Sequence, residues 1–183
     1  HMRVEVTPLS GAPPGAALSL LVKATSRSDT TKRDTLRAIT TCLLGRRPDA
    51  MIHNGTGFIG DDIYNTTGDN QSHSRTVNPG AAAAYLTRFY NDGNAADTFR
   101  ITGSRGSSLW AVKYKDYATG TDITADVTGS GWTSASLLPR RYCSVRIEVT
   151  PLEGAAANAT ASTLLAAVSL GDGTRKDAVR AVT

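Results

Sequence analysis

The residues able to do chemistry are few and poorly spaced for it. The 183-residue chain carries three histidines, two cysteines and 16 acidic residues. His53 and His73 stand alone, with none of the His-x-x-x-His or Cys-x-x-Cys spacings that hold zinc. His1 belongs to a His1-Met2 start that resembles a cloning remnant. No Gly-x-Ser-x-Gly elbow presents a nucleophile, and no spacing singles out a pair of carboxylates for glycoside hydrolysis. The expectation is a non-catalytic chain. Acidic residues gather in one turn-rich stretch, Gly60-Asp61-Asp62-Ile63-Tyr64-Asn65 followed by Gly68-Asp69-Asn70. A hard cation such as Ca2+ takes six to eight oxygens from Asp, Asn and carbonyl groups, so Asp61, Asp62 and Asp69 are candidate calcium ligands. Asp and Asn also close turns by bonding their own backbone, and both readings stay open. Tyr64 and Tyr117 lie in loop contexts and are the candidate aromatic platform for a sugar. Cys42 and Cys143 are a candidate disulfide in an exported protein, provided their Cα atoms lie within about 7 Å; the other reading is two unrelated thiols.

The elements that must carry these residues are announced by a repeat. Residues 3–40 align without a gap to residues 146–183, from Arg3 on Arg146, an offset of 143. Arg3-Val4-Glu5-Val6-Thr7-Pro8-Leu9 returns as Arg146-Ile147-Glu148-Val149-Thr150-Pro151-Leu152. Arg33-Asp34-Thr35-Leu36-Arg37-Ala38-Ile39-Thr40 returns as Lys176-Asp177-Ala178-Val179-Arg180-Ala181-Val182-Thr183. The differences are mostly exchanges among apolar residues. A period this long fits domains joined end to end rather than a solenoid of short repeats. Residues 1–44 are then the end of a preceding unit, residues 45–183 a complete one, and the whole a window on a longer tandem array.

The periodicity is that of strands. Ser144 to Thr150 alternates apolar and polar, and Pro151, lacking an N–H, ends the run. Ala159 to Ser169 and Ala178 to Val182 complete three strands in the repeated tail, so the fragment 1–44 is expected to hold three as well. In the middle, Ala50–His53, Ala83–Tyr90, Asp97–Thr102, Trp110–Tyr114 and Ile123–Val127 read as strands. Asn78-Pro79-Gly80 and Asn91-Asp92-Gly93-Asn94 are turns between them. Phe99, Ile101, Trp110 and above all Trp132 are expected in the centre. The fold class that follows is all-β: an Ig-like antiparallel β-sandwich with no amphipathic helix. Twenty basic residues against 16 acidic ones give +4, scattered rather than patched, so nucleic acid is not an expected partner. No apolar run reaches the roughly 18–20 residues of a membrane span.

The middle also carries a family pattern. Asn78-Pro79-Gly80, a strand, then Asn91-Asp92-Gly93-Asn94-Ala95-Ala96-Asp97-Thr98-Phe99 resembles the bacterial and archaeal Ig-like repeat known as the NPCBM-associated, alpha-galactosidase-type domain, close to the CARDB-like surface repeats. Gly131-Trp132, Leu138-Pro139 and the strand into Val149-Thr150-Pro151 follow in the same order, so the resemblance spans roughly residues 78–183. The segment 58–77 is an insertion relative to that pattern, and Leu138-Pro139-Arg140-Arg141 departs from its Leu-x-Pro-Gly turn. The resemblance implies an extracellular or cell-surface location and a role as spacer, stalk or accessory domain beside an enzyme. The expected function is a structural spacer or stalk that could also serve adhesion, and the alternative is a carbohydrate-binding accessory module of a larger extracellular enzyme. The partners expected are neighbouring repeats of the same chain. The fragment is expected either to pack beside residues 144–183 or to replace that copy in another molecule as a swapped homodimer, because the duplicated ends are two candidates for one place in a sandwich.

Overall fold

The computed structural model describes residues 1–9 and 11–183, and the chain divides into two compact units, His1–Gly45 and Arg46–Thr183. The first unit holds one antiparallel hairpin, β1 (Ala17–Thr25) paired with β2 (Arg33–Thr41). Arg3–Thr7, expected as a third strand by its likeness to residues 146–150, is not in strand conformation. Its counterpart in the second unit is central, with a hydrogen-bonded strand on each side. Arg3–Thr7 forms no ladder of its own, and an isolated extended segment leaves its backbone groups to water.

The second unit runs β3 (Pro48–His53), β4 (Phe58–Ile59), β5 (Ser72–Ser74), β6 (Ala83–Asn91), β7 (Phe99–Gly103), β8 (Trp110–Asp116), α1 (Thr124–Thr128), β9 (Trp132–Thr133), β10 (Tyr142–Pro151), β11 (Ser162–Ser169) and β12 (Lys176–Val182). One five-stranded sheet has the order β4-β3-β6-β10-β8, the other β5-β12-β11-β7-β9. All pairings are antiparallel except β5 with β12. Lettering β3, β6, β7, β8, β10, β11 and β12 as A to G gives the sheets A-B-E-D and G-F-C. That is the constant-type immunoglobulin arrangement. Strands β4, β5 and β9 are short additions at the sheet edges.

Period-2 alternation builds the core. In β6 Ala83, Tyr85, Thr87, Phe89 and Asn91 are buried while the residues between them are half-buried. In β10 Val145, Ile147 and Val149 face inward. Opposite them stand Phe99, Ile101, Leu165, Ala167, Val179 and Ala181, all fully buried. The largest wholly buried side chains are Tyr85, Tyr114, Phe89 and Phe99; Trp110 and Trp132 are half-buried at the margin of this cluster. The expected central tryptophan is therefore replaced by two tyrosines. Their phenol oxygens find carbonyls, Tyr85 donating to Val182 O at 2.5 Å and Tyr114 to Ser104 O at 2.8 Å. A ring with a reachable acceptor can be buried whole. Residues 123–127, expected as a strand, form the single turn α1 instead. Ile123 and Val127 are both buried, one helical turn apart, and the Val127 N–H bonds Ile123 O at 3.0 Å. Among the described residues no helix is long and apolar enough to cross a membrane.

Candidate functional site

The strongest polar anomaly is a buried carboxylate on β3. This strand is buried on both faces, Ala50 and Ile52 towards the core and Asp49 and Met51 on the other side. Asp49 is fully buried, and neither of its oxygens has a hydrogen-bond partner of normal geometry. Burial pushes its carboxyl up to about 8, with the neighbouring charges of Asp92, Asp177 and Asp61 adding to the effect and the Asp62 amide opposing it. The Gln71 side-chain oxygen is buried and unpartnered too. The acid is thus neutral at pH 7, which removes the cost of burying a lone charge among other acids.

Asp177, bonded to Ala50, the residue after Asp49 on the same strand, shows the opposite solution. It is fully buried on β12, and its oxygens accept bonds from Ala50 N–H (2.6 Å), Asn65 N–H (2.9 Å), Gln71 Nε2 (3.0 Å) and its neighbour Ala178 N–H (2.9 Å). Those bonds favour the charge, yet burial outweighs them and the carboxyl is raised. Asp177 is a clamp that ties β12 in one sheet to β3 and to the 60–71 segment that follows β4.

That segment is organised by Asn65. Its carbonyl oxygen accepts from Thr67 N–H (3.0 Å), Gly68 N–H (2.7 Å) and Asp69 N–H (3.2 Å), and its amide donates to Asp69 O at 2.9 Å. Gly68 sits at φ +72°, where an added Cβ would lie 2.8 Å from Arg180 Cβ and 2.9 Å from Arg180 N. Of the expected calcium ligands, Asp61 and Asp62 are exposed, and Asp62 accepts the Tyr64 hydroxyl at 2.9 Å. Asp69 turns to Arg180, 3.8 Å away. Among the described residues no group of three or more His, Cys, Asp or Glu side chains is arranged to hold a metal ion. The turn is closed by the Asn65 side chain, not by the three aspartates.

The two tyrosines part company. Tyr64 is half-buried, its hydroxyl donates towards Asp62 and towards Asp92 (2.8 Å), and the Arg47 guanidinium lies 3.8 Å from its ring centre. Burial and its two acidic acceptors push the phenol well above its ordinary range. One face of its ring is thus covered by the arginine. Tyr117 is 56% exposed and borders a groove of about 430 Å3, together with Leu86, Arg88, Asp116 and Tyr142. In that groove the Arg88 guanidinium is stacked between Phe58 (4.0 Å) and Tyr142 (4.4 Å). The arginine stack was invisible to spacing, since Phe58, Arg88 and Tyr142 come from three separate strands. Cys42 belongs to the first unit and Cys143 to the second, and both are half-buried. Burial pushes the Cys143 thiol up to about 12, far from the thiolate that reacts.

Asp97 is bonded well beyond its own loop. Its carboxylate accepts Thr98 N–H at 2.8 Å and the Ser169 hydroxyl at 2.5 Å, with the Arg46 guanidinium 3.7 Å away. Asn91 does not adopt a left-handed turn conformation; it is buried at the end of β6, and its amide donates to Ala95 O (2.8 Å) and Leu137 O (2.7 Å). The N-x-G-N-x-x-D segment is therefore a polar knot joining β6, β7 and β11. Asp49, Gln71 and Asp177 were missed from sequence. Asp177 could have been found, because it is one of the residues kept unchanged in the repeat, as Asp34.

Comparison of the chain with protein-family models and with curated proteins finds no match.

Proposed function

We propose that this chain is a non-catalytic structural module, a spacer or stalk unit of a secreted or cell-surface protein built from tandem Ig-like repeats. The observation that carries the reading is that one F–G hairpin occurs twice. β1–β2 and β11–β12 have the same strand register throughout, Leu20 opposite Ala38 and Thr163 opposite Ala181 at the offset of 143. A hairpin duplicated with its register, in a chain that has one sandwich, fits a string of such sandwiches. The polar resources of the unit support the same reading. Asp177, Asp97, Asn91 and Asn65 are spent on joining strands and closing loops, and no nucleophile, base and orienting acid meet. The resemblance of residues 78–183 to Ig-like surface repeats adds the extracellular setting.

The test is mechanical. Pulled from its ends, the second unit should unfold in a single event that releases about 480 Å of chain, at roughly 3.5 Å for each residue from Arg46 to Thr183. Gradual extension without such an event would count against a load-bearing spacer.

One observation favours a second reading, a carbohydrate-binding accessory module. The groove beside Tyr117 combines exposed aromatic faces with Arg88 and Asp116. Aromatic faces with planar polar neighbours suit a pyranose ring. Saturable binding on a glycan array, lost in Tyr117→Ala and kept in Tyr64→Phe, would favour that reading over the spacer.

A further inference from the structure

The two copies of the F–G hairpin are alike in everything local. In β1–β2 the Ser26 N–H bonds Lys32 O at 3.0 Å; in β11–β12 the Ser169 N–H bonds Arg175 O at 3.1 Å. Asp29 accepts the Thr31 N–H (3.0 Å) and hydroxyl (2.6 Å), as Asp172 accepts those of Thr174 (3.1 and 2.6 Å). The difference lies in what covers them. Val179 is fully buried in the sandwich, whereas Leu36, its counterpart, is 67% exposed. Asp177 is fully buried and Asp34 is exposed.

The structure also records what the covered copy requires of its seat, and the uncovered copy keeps each requirement. Asp177 is held by Ala50 N–H, Asn65 N–H and Gln71 Nε2; the equivalent residue is Asp34. Thr183 meets the Tyr85 hydroxyl at 2.8 Å; the equivalent is Thr40. Ser169 donates to Asp97; the equivalent is Ser26, which in the first unit bonds only within its own turn. Ala167 and Ala181, the small residues of the buried face, return as Ala24 and Ala38. The two large positions exchange in a compensating way. Leu165 stands opposite Val179 in one hairpin, and Val22 opposite Leu36 in the other. The pair keeps its total volume, the kind of change a packed core tolerates best. A surface hairpin with no seat to fill has no reason to hold a buried-type Asp, two alanines and a volume-matched Val–Leu pair on one face.

We propose that β1–β2 is a closing hairpin that completes the sandwich of a second copy of the Arg46–Thr183 unit, in the place that β11–β12 takes here. Asp34 then receives the amides of Ala50, Asn65 and Gln71 of that copy, and Leu36 and Val22 enter its core between the two sheets. The contact is a strand-for-strand exchange in which the edge pairings to β5 and β7 are kept. The proposal rests on the tandem-repeat reading, in which β1–β2 is the closing hairpin of a preceding unit, and a second copy of this unit offers it an equivalent seat.

The experiment uses the full chain with its own closing hairpin disabled by Leu165→Asp and Val179→Asp. With β1–β2 intact, the expected result is a cooperative thermal transition and association into dimers or larger exchange species. Amide protection should move from residues 162–182 to residues 17–41. Adding Val22→Asp and Leu36→Asp should abolish the transition. The proposal is overturned if the Leu165→Asp/Val179→Asp chain is as unfolded as the four-substitution chain, while Val22→Asp/Leu36→Asp alone melts like the unaltered protein. A second measurement needs no core substitution: in the unaltered chain, amides 17–41 should gain at least tenfold protection on concentration from micromolar to millimolar. Unchanged exchange would also overturn it. Either failure would leave the spacer reading intact, because each unit could then close on its own hairpin; that reading answers to the pulling experiment.

Discussion

Asp49 and Asp177 show how two buried acids of the same type are made tolerable in different ways. Asp177 is given four donors, and Asp49 is given a proton. The second solution has a consequence for pH. The carboxyl of Asp49 is raised from 3.8 in the open chain to about 8 in the folded one, so the folded state holds the proton more tightly. Its contribution to stability is fully present below about pH 4 and is lost as pH rises through about 8. The urea midpoint of the sandwich should therefore fall between pH 5 and pH 9, and Asp49→Asn, which mimics the neutral acid, should flatten the fall. Equal slopes in the two proteins would refute the protonated carboxyl. The sequence hid this site because Asp49 lies within Pro48-Asp49-Ala50-Met51-Ile52, and a strand buried on both faces has no polar side to mark the acid as unusual.

At the scale of elements, alternation made most strands legible. β6, β7, β8, β10, β11 and β12 all overlap expected runs, since each has one face towards the core. The failures came where a tertiary neighbour decided. Residues 123–127 have the residue types of a strand, but Ile123 and Val127 reach the core together only from a helical turn. Arg3–Thr7 repeats Arg146–Thr150 closely, yet it lacks the two flanking strands that make β10 a strand. The 60–71 segment, for which cation ligation and turn closure both stood open, is an Asn65-centred loop seated on β12. Its close approach predicts a sharp cost for Gly68→Ala. The new Cβ would meet the Arg180 backbone at a left-handed φ, so the variant should lose about 1–3 kcal/mol in urea unfolding. A variant as stable as the unaltered protein would mean that the loop does not pack on β12.

For the whole molecule, the two units differ in what holds them. The second unit has a core shared by two five-stranded sheets, and the first has one hairpin with Leu18, Leu21, Leu36 and Ile39 largely exposed. A two-stranded hairpin is marginal by itself, whereas a sandwich unfolds as one body. In dilute solution, hydrogen exchange should therefore find residues 17–41 weakly protected. The same register at residues 160–182 should be protected close to the global limit. Equal protection in the monomer would mean that β1–β2 is stabilised within its own chain.

The linear chain by itself determined the strand-rich class, the turn at Asn78-Pro79-Gly80 and the duplication of the ends, because alternation, turn chemistry and self-similarity are properties of neighbours along the chain. Only the tertiary structure decided that two tyrosines replace a tryptophan at the centre, that Tyr64 lies under an arginine, and that one copy of a hairpin is buried while its twin is largely exposed. Burial is set by what folds across from a residue, and that partner is as far as 127 positions away in the case of Ala50 and Asp177.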